Sequence, residues 1–205
     1  MTPKWLEWAQ KLQSLAQSGL NYTKNEFEIE RYNLIREIAS EIISLQTGED
    51  KSEINKFFAS EAGHSTPKVD VRGVVFKENK ILLVKEKVDG KWTLPGGWAD
   101  VGSTPSENVE REVFEESGYL VKTKKVLAVY DRNKQGHTPF IYHLYKIFFL
   151  CELTGGEAKA SNETLDVRFF GEDELPELST GRITSKQIKR FFEHLRDPNL
   201  STDFD

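Results

Sequence analysis

The stretch GGWADVGSTPSENVEREVFEESGY, residues 96–119, constrains the fold of this chain more than any other. Thr104-Pro105-Ser106-Glu107 places an N-cap threonine, a proline at the first helical position and a glutamate able to close a capping box. Gly118 suits the opposite end, where a left-handed residue ends the helix without a Cβ clash. About 13 residues between them are therefore helical by local chemistry alone. On that helix Glu112, Glu115 and Glu116 stand at i, i+3 and i+4 and share a face. Like charges so placed destabilise an isolated helix by a few tenths of a kcal/mol each. A hard divalent cation relieves that repulsion: Mg²⁺ takes oxygen ligands, keeps several waters and shares itself with phosphate oxygens. Arg111 can pair with Glu115 one turn on. Upstream, Gly96-Gly97 makes a loop where backbone can approach a ligand closely, and the Gly96 carbonyl can supply one more metal oxygen. A run of glutamates on a helix is commonly only a solvated face. Here the joint spacing argues otherwise. Gly97, thirteen residues, then Arg-Glu-apolar-x-Glu-Glu-x-Gly arises by chance in a chain this long with a probability on the order of 10⁻⁵.

The character of the chain changes at Ser65-Thr66-Pro67. Before it, the periodicity is helical. Trp5, Trp8, Leu12, Leu15 and Ala16 recur at three- and four-residue steps, and Phe27, Leu34, Ile38, Ile42 and Leu45 form a second stripe ending at Gly48. A third short helix, carrying Ile54, Phe57 and Phe58, opens at Asp50 and closes at Gly63. After Pro67 the pattern is mixed. Strands are expected over 69–76, 81–84, about 120–131, 140–152 and 165–170, with a last helix over about 184–195 carrying Ile188, Phe191, Phe192 and Leu195. The expected organisation is a helical domain, 1–66, followed by an α/β domain, 67–205.

The net charge of −5 argues against a broad surface for duplex DNA, and residues 1–66 carry seven Lys/Arg against ten Asp/Glu. No apolar run approaches the roughly 20 residues that span a bilayer, and charges stand where a signal peptide would be apolar, so a cytoplasmic protein is expected. Cys151, in an apolar run, reads as a buried inert thiol. His64, His137, His143 and His194 share no metal-ligand spacing.

The glutamate helix and its loop resemble the box that defines the Nudix hydrolase family. Gly97, Arg111, Glu112, Val113, Glu115, Glu116 and Gly118 match in register; Ser103 stands where the box has its first glutamate, and Tyr119 where it ends on an aliphatic residue. The resemblance implies an α+β fold, an α/β/α sandwich with a mixed sheet over about 67–205. It also implies metal-dependent attack of water on a diphosphate bridge. The missing glutamate normally braces the loop and its arginine, so weaker positioning is expected rather than loss of metal ligands. The opening MTPKWLEWAQKLQ, PKVDVRGVVF, KWTLPGGWADVG and FFGEDELP are similar to a bacterial Nudix subgroup with a helical N-terminal domain, often described as ADP-ribose pyrophosphatase-like and including CDP-choline pyrophosphatases. That likeness implies hydrolysis of CDP-choline to CMP and phosphocholine, with ADP-ribose or another sugar nucleotide, or an RNA end, as alternatives. Outside the class, a non-catalytic nucleotide-binding regulator is the competing reading.

The expected metal ligands, for Mg²⁺ or Mn²⁺, are Glu112, Glu115, Glu116 and the Gly96 carbonyl, with Glu112 and Glu116 foremost. A general base must reach the attacking water. The candidates are a carboxylate of the box, Glu115, or Glu163 in the loop before a strand; Glu157 and Asp166 are weaker. Arg72, mid-strand among apolar residues, needs a partner, either a substrate phosphate or an internal carboxylate. Lys85, Gly97 and Trp98 are the other expected substrate contacts. Trp5 and Trp8 are a large surface to leave in water, so a homodimer through the N-terminal helices is expected.

Overall fold

The computed structural model describes residues 2–205 as two compact units. The first comprises residues up to Pro67 together with Pro139–His143. Its helices are α1 (Lys4–Tyr22), α2 (Glu26–Thr47) and α3 (Lys51–Ser60). Asn25 caps α2 by accepting from Phe27 N and Glu28 N, and Gly48 ends it at φ 78°. Asp50 caps α3 in the same way, through Ser52 N and Glu53 N. This helix stops at Ser60 rather than running to Gly63.

The core of this unit is small. Ala9, Ala39, Ile43, Ile54 and Phe58 are buried together, with Trp5, Leu12, Ile42 and Phe57 packed against them. The expected stripe is only partly inside: Trp8, Leu15, Phe27, Leu34 and Leu45 are each more than half exposed. On α1 the buried face runs through Leu6, Ala9, Gln13 and Ala16, one residue round from the stripe of larger side chains. Small residues let helices approach closely, and here that approach decides which face goes inside. The short segment 139–143 is tied to α1, since Gln10 Nε2 donates to the carbonyls of Phe140 (3.0 Å) and Ile141 (3.2 Å). The strand expected from residue 140 consequently begins at Leu144.

The second unit is built on a mixed sheet of β1 (Lys68–Lys77), β2 (Lys80–Glu86), β3 (Trp92–Thr93), β4 (Tyr119–Asp131), β5 (Leu144–Gly156), β6 (Thr164–Phe170) and β7 (Asp203–Phe204). The order is β3-β2-β1-β5-β4-β7, with β6 also on β2. β1 runs parallel to β5 and antiparallel to β2. α4 (Pro105–Ser117) and α5 (Ser185–Arg196) are its helices. Val109 and Val113 of α4 pack on Val71, Val75, Leu82 and Phe149. Ile188, Phe191 and Phe192 of α5 pack with Val74, Ile81, Leu83 and Phe148. Two separate apolar clusters, each holding one helix and drawing alternate residues of the same strands, make the α/β/α sandwich. Gly73 permits the closeness of α4, because a Cβ there would lie 2.4 Å from Val113 Cγ2. Cys151 is buried, and burial pushes its thiol up to about 12. Among the described residues no helix is long and apolar enough to cross a membrane.

Candidate active site

The capping box forms as the residues dictate. Thr104 Oγ1 accepts from Glu107 N (3.2 Å), Glu107 Oε2 accepts from Thr104 N (2.8 Å), and Gly118 ends α4 at φ 76°. The loop 95–99 lies along β1 like an extra strand. Val71 N donates to Gly97 O (2.8 Å), Gly73 N to Pro95 O (2.9 Å) and Ala99 N to Val69 O (3.0 Å). The Gly96 carbonyl stays outside that ladder. Gly96 is at φ 135°, and a Cβ there would fall 2.1 Å from Val71 O, so only glycine fits.

Helix and loop are joined by Glu116, whose Oε2 accepts from Gly96 N at 2.8 Å. Burial pushes the Glu116 carboxyl up to about 8; Glu86 and Glu112 add to the rise, while Arg72 and the Gly96 bond oppose it. Burial also raises Glu112, with Glu115 and Glu163 adding to the rise and Arg111 and Arg72 opposing it. A Cβ on Gly97 would lie 3.0 Å from Glu112 Oε2, so the glycine lets that carboxylate come close to the loop backbone. Half-exposed Glu115 is held by Arg111 Nη1 at 2.9 Å, and Arg111 Nη2 reaches Glu112 Oε1 at 3.0 Å.

The brace lost with the box glutamate at Ser103 has a substitute. Arg111 Nη2 also bonds Asp100 Oδ2 at 2.7 Å. Asn108 accepts from Asp100 N (2.9 Å) and donates to the carbonyls of Asp100, Ser103 and Thr104. The loop is thus sewn to α4 by the Asn108 amide together with the Asp100 carboxylate on Arg111. Only the asparagine one turn above the cap signalled this in the sequence.

Of the two partners open to Arg72, the structure supplies the carboxylate. Arg72 is buried with Nε and Nη2 on Asp70 (3.0 and 2.8 Å) and Nη1 on Leu94 O (3.1 Å). Buried Lys146, on β5, shares Asp70 at 2.6 Å. Asp70 and Lys146 were not anticipated. The available signal was Asp70 two residues from Arg72, on the same face of an apolar strand, and a lone lysine inside the Ile147–Cys151 neighbourhood. Glu86 was missed as well; it is buried at the end of β2, near enough to Glu116 to raise its pKa, with Arg182 Nε at 3.2 Å.

Glu163 is exposed in the loop before β6. The next residue, Thr164, ties that loop to α4 by donating to Glu116 O at 2.9 Å, and the charge of Glu163 is felt at Glu112. Asp166 is paired with Arg168. Lys85 stands on β2 opposite Trp92 and Asp166. Trp98, half exposed, bridges to Asp70 from the loop side.

The donor set beside the glycine loop is all oxygen, which fits a hard divalent cation rather than a thiolate- or imidazole-seeking one. Among the described residues no group of three or more His, Cys, Asp or Glu side chains is already arranged to hold a metal ion. Glu116 is held on Gly96 N and Glu112 on Arg111. An open site that completes its octahedron with water and phosphate oxygens is the form such cations use with nucleotides.

The chain belongs to the Nudix family: residues 66–192 match the profile of the Nudix domain. Residues 3–58 match one described as a UDP-X-like, N-terminal oligomerisation domain. A Bacillus subtilis protein, YjhB, provisionally named an ADP-ribose pyrophosphatase, is 44% identical over 98% of this chain and 97% of its own length. The Methanocaldococcus jannaschii ADP-ribose pyrophosphatase is 40% identical over 55% of this chain and 67% of its own. Among solved structures, a UDP-X diphosphatase is 31% identical, covers 98% of both chains and superposes with a TM-score of 0.64. A Streptococcus suis ADP-ribose pyrophosphatase is 42% identical over 68% of this chain and all of its own, with a TM-score of 0.63. The chain is therefore a Nudix pyrophosphohydrolase acting on nucleoside diphosphate derivatives, a family that generally uses divalent metal ions.

Proposed function

We propose that the chain hydrolyses the diphosphate bridge of a nucleoside diphosphate sugar, with ADP-ribose first among substrates, using Mg²⁺ or Mn²⁺ held at Glu112, Glu116, Glu115 and the Gly96 carbonyl. The observation that supports this reading is the Glu116–Gly96 bond beside Glu112, which brings two carboxylates against the glycine loop. Bound divalent cations would neutralise the bridge and lower the pKa of a coordinated water. The protein's own groups do the rest. Arg111 orients Glu112 and Glu115. Glu163, whose charge is felt at Glu112 and whose loop is tied to α4 through Thr164, takes the proton of the attacking water; Glu115 is the second choice because Arg111 already engages it. Gly97, Trp98 and Lys85 line the approach, and Arg72 acts by holding the loop through Leu94 O. The names of the similar pyrophosphatases favour ADP-ribose; the resemblance of the opening segments to CDP-choline pyrophosphatases favours CDP-choline as the second reading.

The test is product analysis by ³¹P NMR with ADP-ribose, CDP-choline, UDP-glucose and NAD, with Mg²⁺, then Mn²⁺, and an EDTA blank. EDTA-sensitive release of AMP and ribose 5-phosphate is expected. Release of CMP and phosphocholine alone would replace the substrate and keep the chemistry. Silence with both metals would favour a non-catalytic binder. The exposed Trp8, Leu15, Leu34 and Leu45 further support a homodimer built on the helical unit. A concentration-independent monomer at micromolar levels in analytical ultracentrifugation would refute it.

A further inference from the structure

An α-helix ends on carbonyls that have no partner within the helix. In α4 those of Glu116 and Ser117 are taken by the loop that joins β5 to β6. Lys159 N donates to Ser117 O at 2.9 Å, and Thr164 Oγ1 donates to Glu116 O at 2.9 Å. Gly118 lets this loop pass, because a Cβ there would lie 2.5 Å from Glu157 O and 2.8 Å from Lys159 Cβ. The glycine that ends the helix thus also admits the loop.

Within the loop the hydrogen bonds converge on Glu163. A carbonyl only accepts, so the one hydroxyl proton of buried Thr164 goes to Glu116 O. Thr164 Oγ1 then accepts, from Ser161 N at 2.9 Å and from the Ser161 hydroxyl at 3.2 Å. Ser161 Oγ in turn accepts from Glu163 N at 3.0 Å and from Thr164 N at 3.2 Å. From the other side comes Lys87, one residue past the end of β2. Its backbone N donates to Glu163 O at 3.0 Å and its Nζ to Asn162 O at 2.7 Å. Both backbone polar groups of Glu163 are therefore fixed. Its exposed carboxylate makes no hydrogen bond or ion pair among the described residues. A backbone held on two sides beside an idle side chain is the arrangement that preorganises a catalytic group.

We propose that Thr164, Ser161 and Lys87 are positioning residues for the reaction, which register Glu163 to the helix that carries the metal carboxylates. The inference rests on the reading of Glu163 as the general base, and it names the side chains that set the place of that base. The path is short. It runs from the carbonyl of Glu116, itself a proposed metal ligand, through two hydroxyls to Glu163 N. A misplacement of about 1 Å at such a group can cost roughly 10²-fold in rate.

The experiment is a pair of double-mutant cycles on the full chain. It reads kcat and KM with Mg²⁺ for ADP-ribose, or for CDP-choline if that is the substrate cleaved, with melting temperatures alongside. Glu163→Gln should lower kcat by roughly 10²-fold or more. Thr164→Val, which keeps the shape and removes the hydroxyl, should lower kcat by about tenfold with KM within about twofold. Thr164→Ser should restore most of that loss. Lys87→Met should lower kcat by about threefold. In the Glu163→Gln background, Thr164→Val and Lys87→Met should each change kcat by less than about twofold, because the carboxylate they act through is already gone. Ser161→Ala takes the place of Thr164→Val if that variant does not fold. A Thr164→Val penalty that persists in full beside Glu163→Gln, or a Thr164→Val chain as fast as the wild type, overturns the inference and leaves Thr164 as a cap on α4. If Glu163→Gln alone keeps the wild-type rate, the base assignment fails and the inference with it. A wild type silent on both substrates removes the reaction itself.

Discussion

The helical unit leaves large apolar side chains in water and buries alanines, whereas the Nudix unit buries charges. Trp8, Leu15 and Leu45 are over half exposed in the first, while Asp70, Arg72, Glu86, Glu116 and Lys146 are nearly inaccessible in the second. Each is a departure from the usual sorting of residues by polarity. An exposed apolar face gains from a partner of its own kind, and a buried ionic cluster from a ligand of opposite charge. The two departures therefore point to different tasks, assembly in one unit and recognition with chemistry in the other.

Perturbing the two regions in parallel sharpens that contrast. The largest effect belongs to the carboxylates: Glu112→Gln should lower kcat/KM for ADP-ribose by roughly 10²–10³-fold, read by ³¹P NMR, with circular dichroism unchanged. A variant retaining wild-type turnover would remove Glu112 from the metal site. Next, Phe148→Ala, in the core under α5, should cost about 3–5 kcal/mol in urea unfolding. The matching truncation Leu45→Ala should stay within about 0.5 kcal/mol if the helical unit is monomeric, and should cost clearly more if that face is an interface. Trp8→Glu with Leu15→Glu should convert a dimer to monomers in ultracentrifugation while leaving kcat for ADP-ribose within about twofold. Unchanged assembly would place the interface elsewhere.

The remaining effects are in pH. His137 is held down to about 4 in the folded chain against 6.5, so the unfolded state binds more protons between those values and stability should fall as pH drops through that window. Lys146 is held down to about 8 against 10.5, so by the same sign stability should rise as pH climbs from 8 to 10.5. Urea midpoints across pH would show both trends, and Lys146→Met should abolish the alkaline one. An alkaline rise that survives the substitution would assign it to another group.

What could be read from the chain divides along the same line of local against distant. α4 was legible to the residue because Thr104, Pro105, Glu107 and Gly118 act on their own neighbours. Glu112, Glu116 and the glycine loop were legible for the same reason. The partner of Arg72 was in view, Asp70 two residues away; the second cation on that carboxylate, Lys146, was not, because it arrives only through parallel pairing of β1 with β5, 76 residues on. The brace was hidden because Asn108 and Asp100 share the work that the box gives to one glutamate. In the helical unit, periodicity found the helices and part of the buried face, Ala16, Ile54 and Phe58 included, but close packing at Ala9 and Ala39 left Trp8, Leu15 and Leu45 outside. Residues 140–143 read as strand from their apolar content, yet Gln10 takes their carbonyls.

The most direct test of the account is Glu116→Gln, compared with the wild type in calorimetric melting with EDTA and with Mg²⁺, and in ADP-ribose turnover. Burial holds Glu116 up at about 8, so its carboxylate is a liability without metal and a ligand with it. The variant should melt no lower than the wild type in EDTA, gain nothing from Mg²⁺ where the wild type is stabilised, and turn over no substrate. A variant that keeps both the Mg²⁺-dependent stabilisation and wild-type turnover would contradict it.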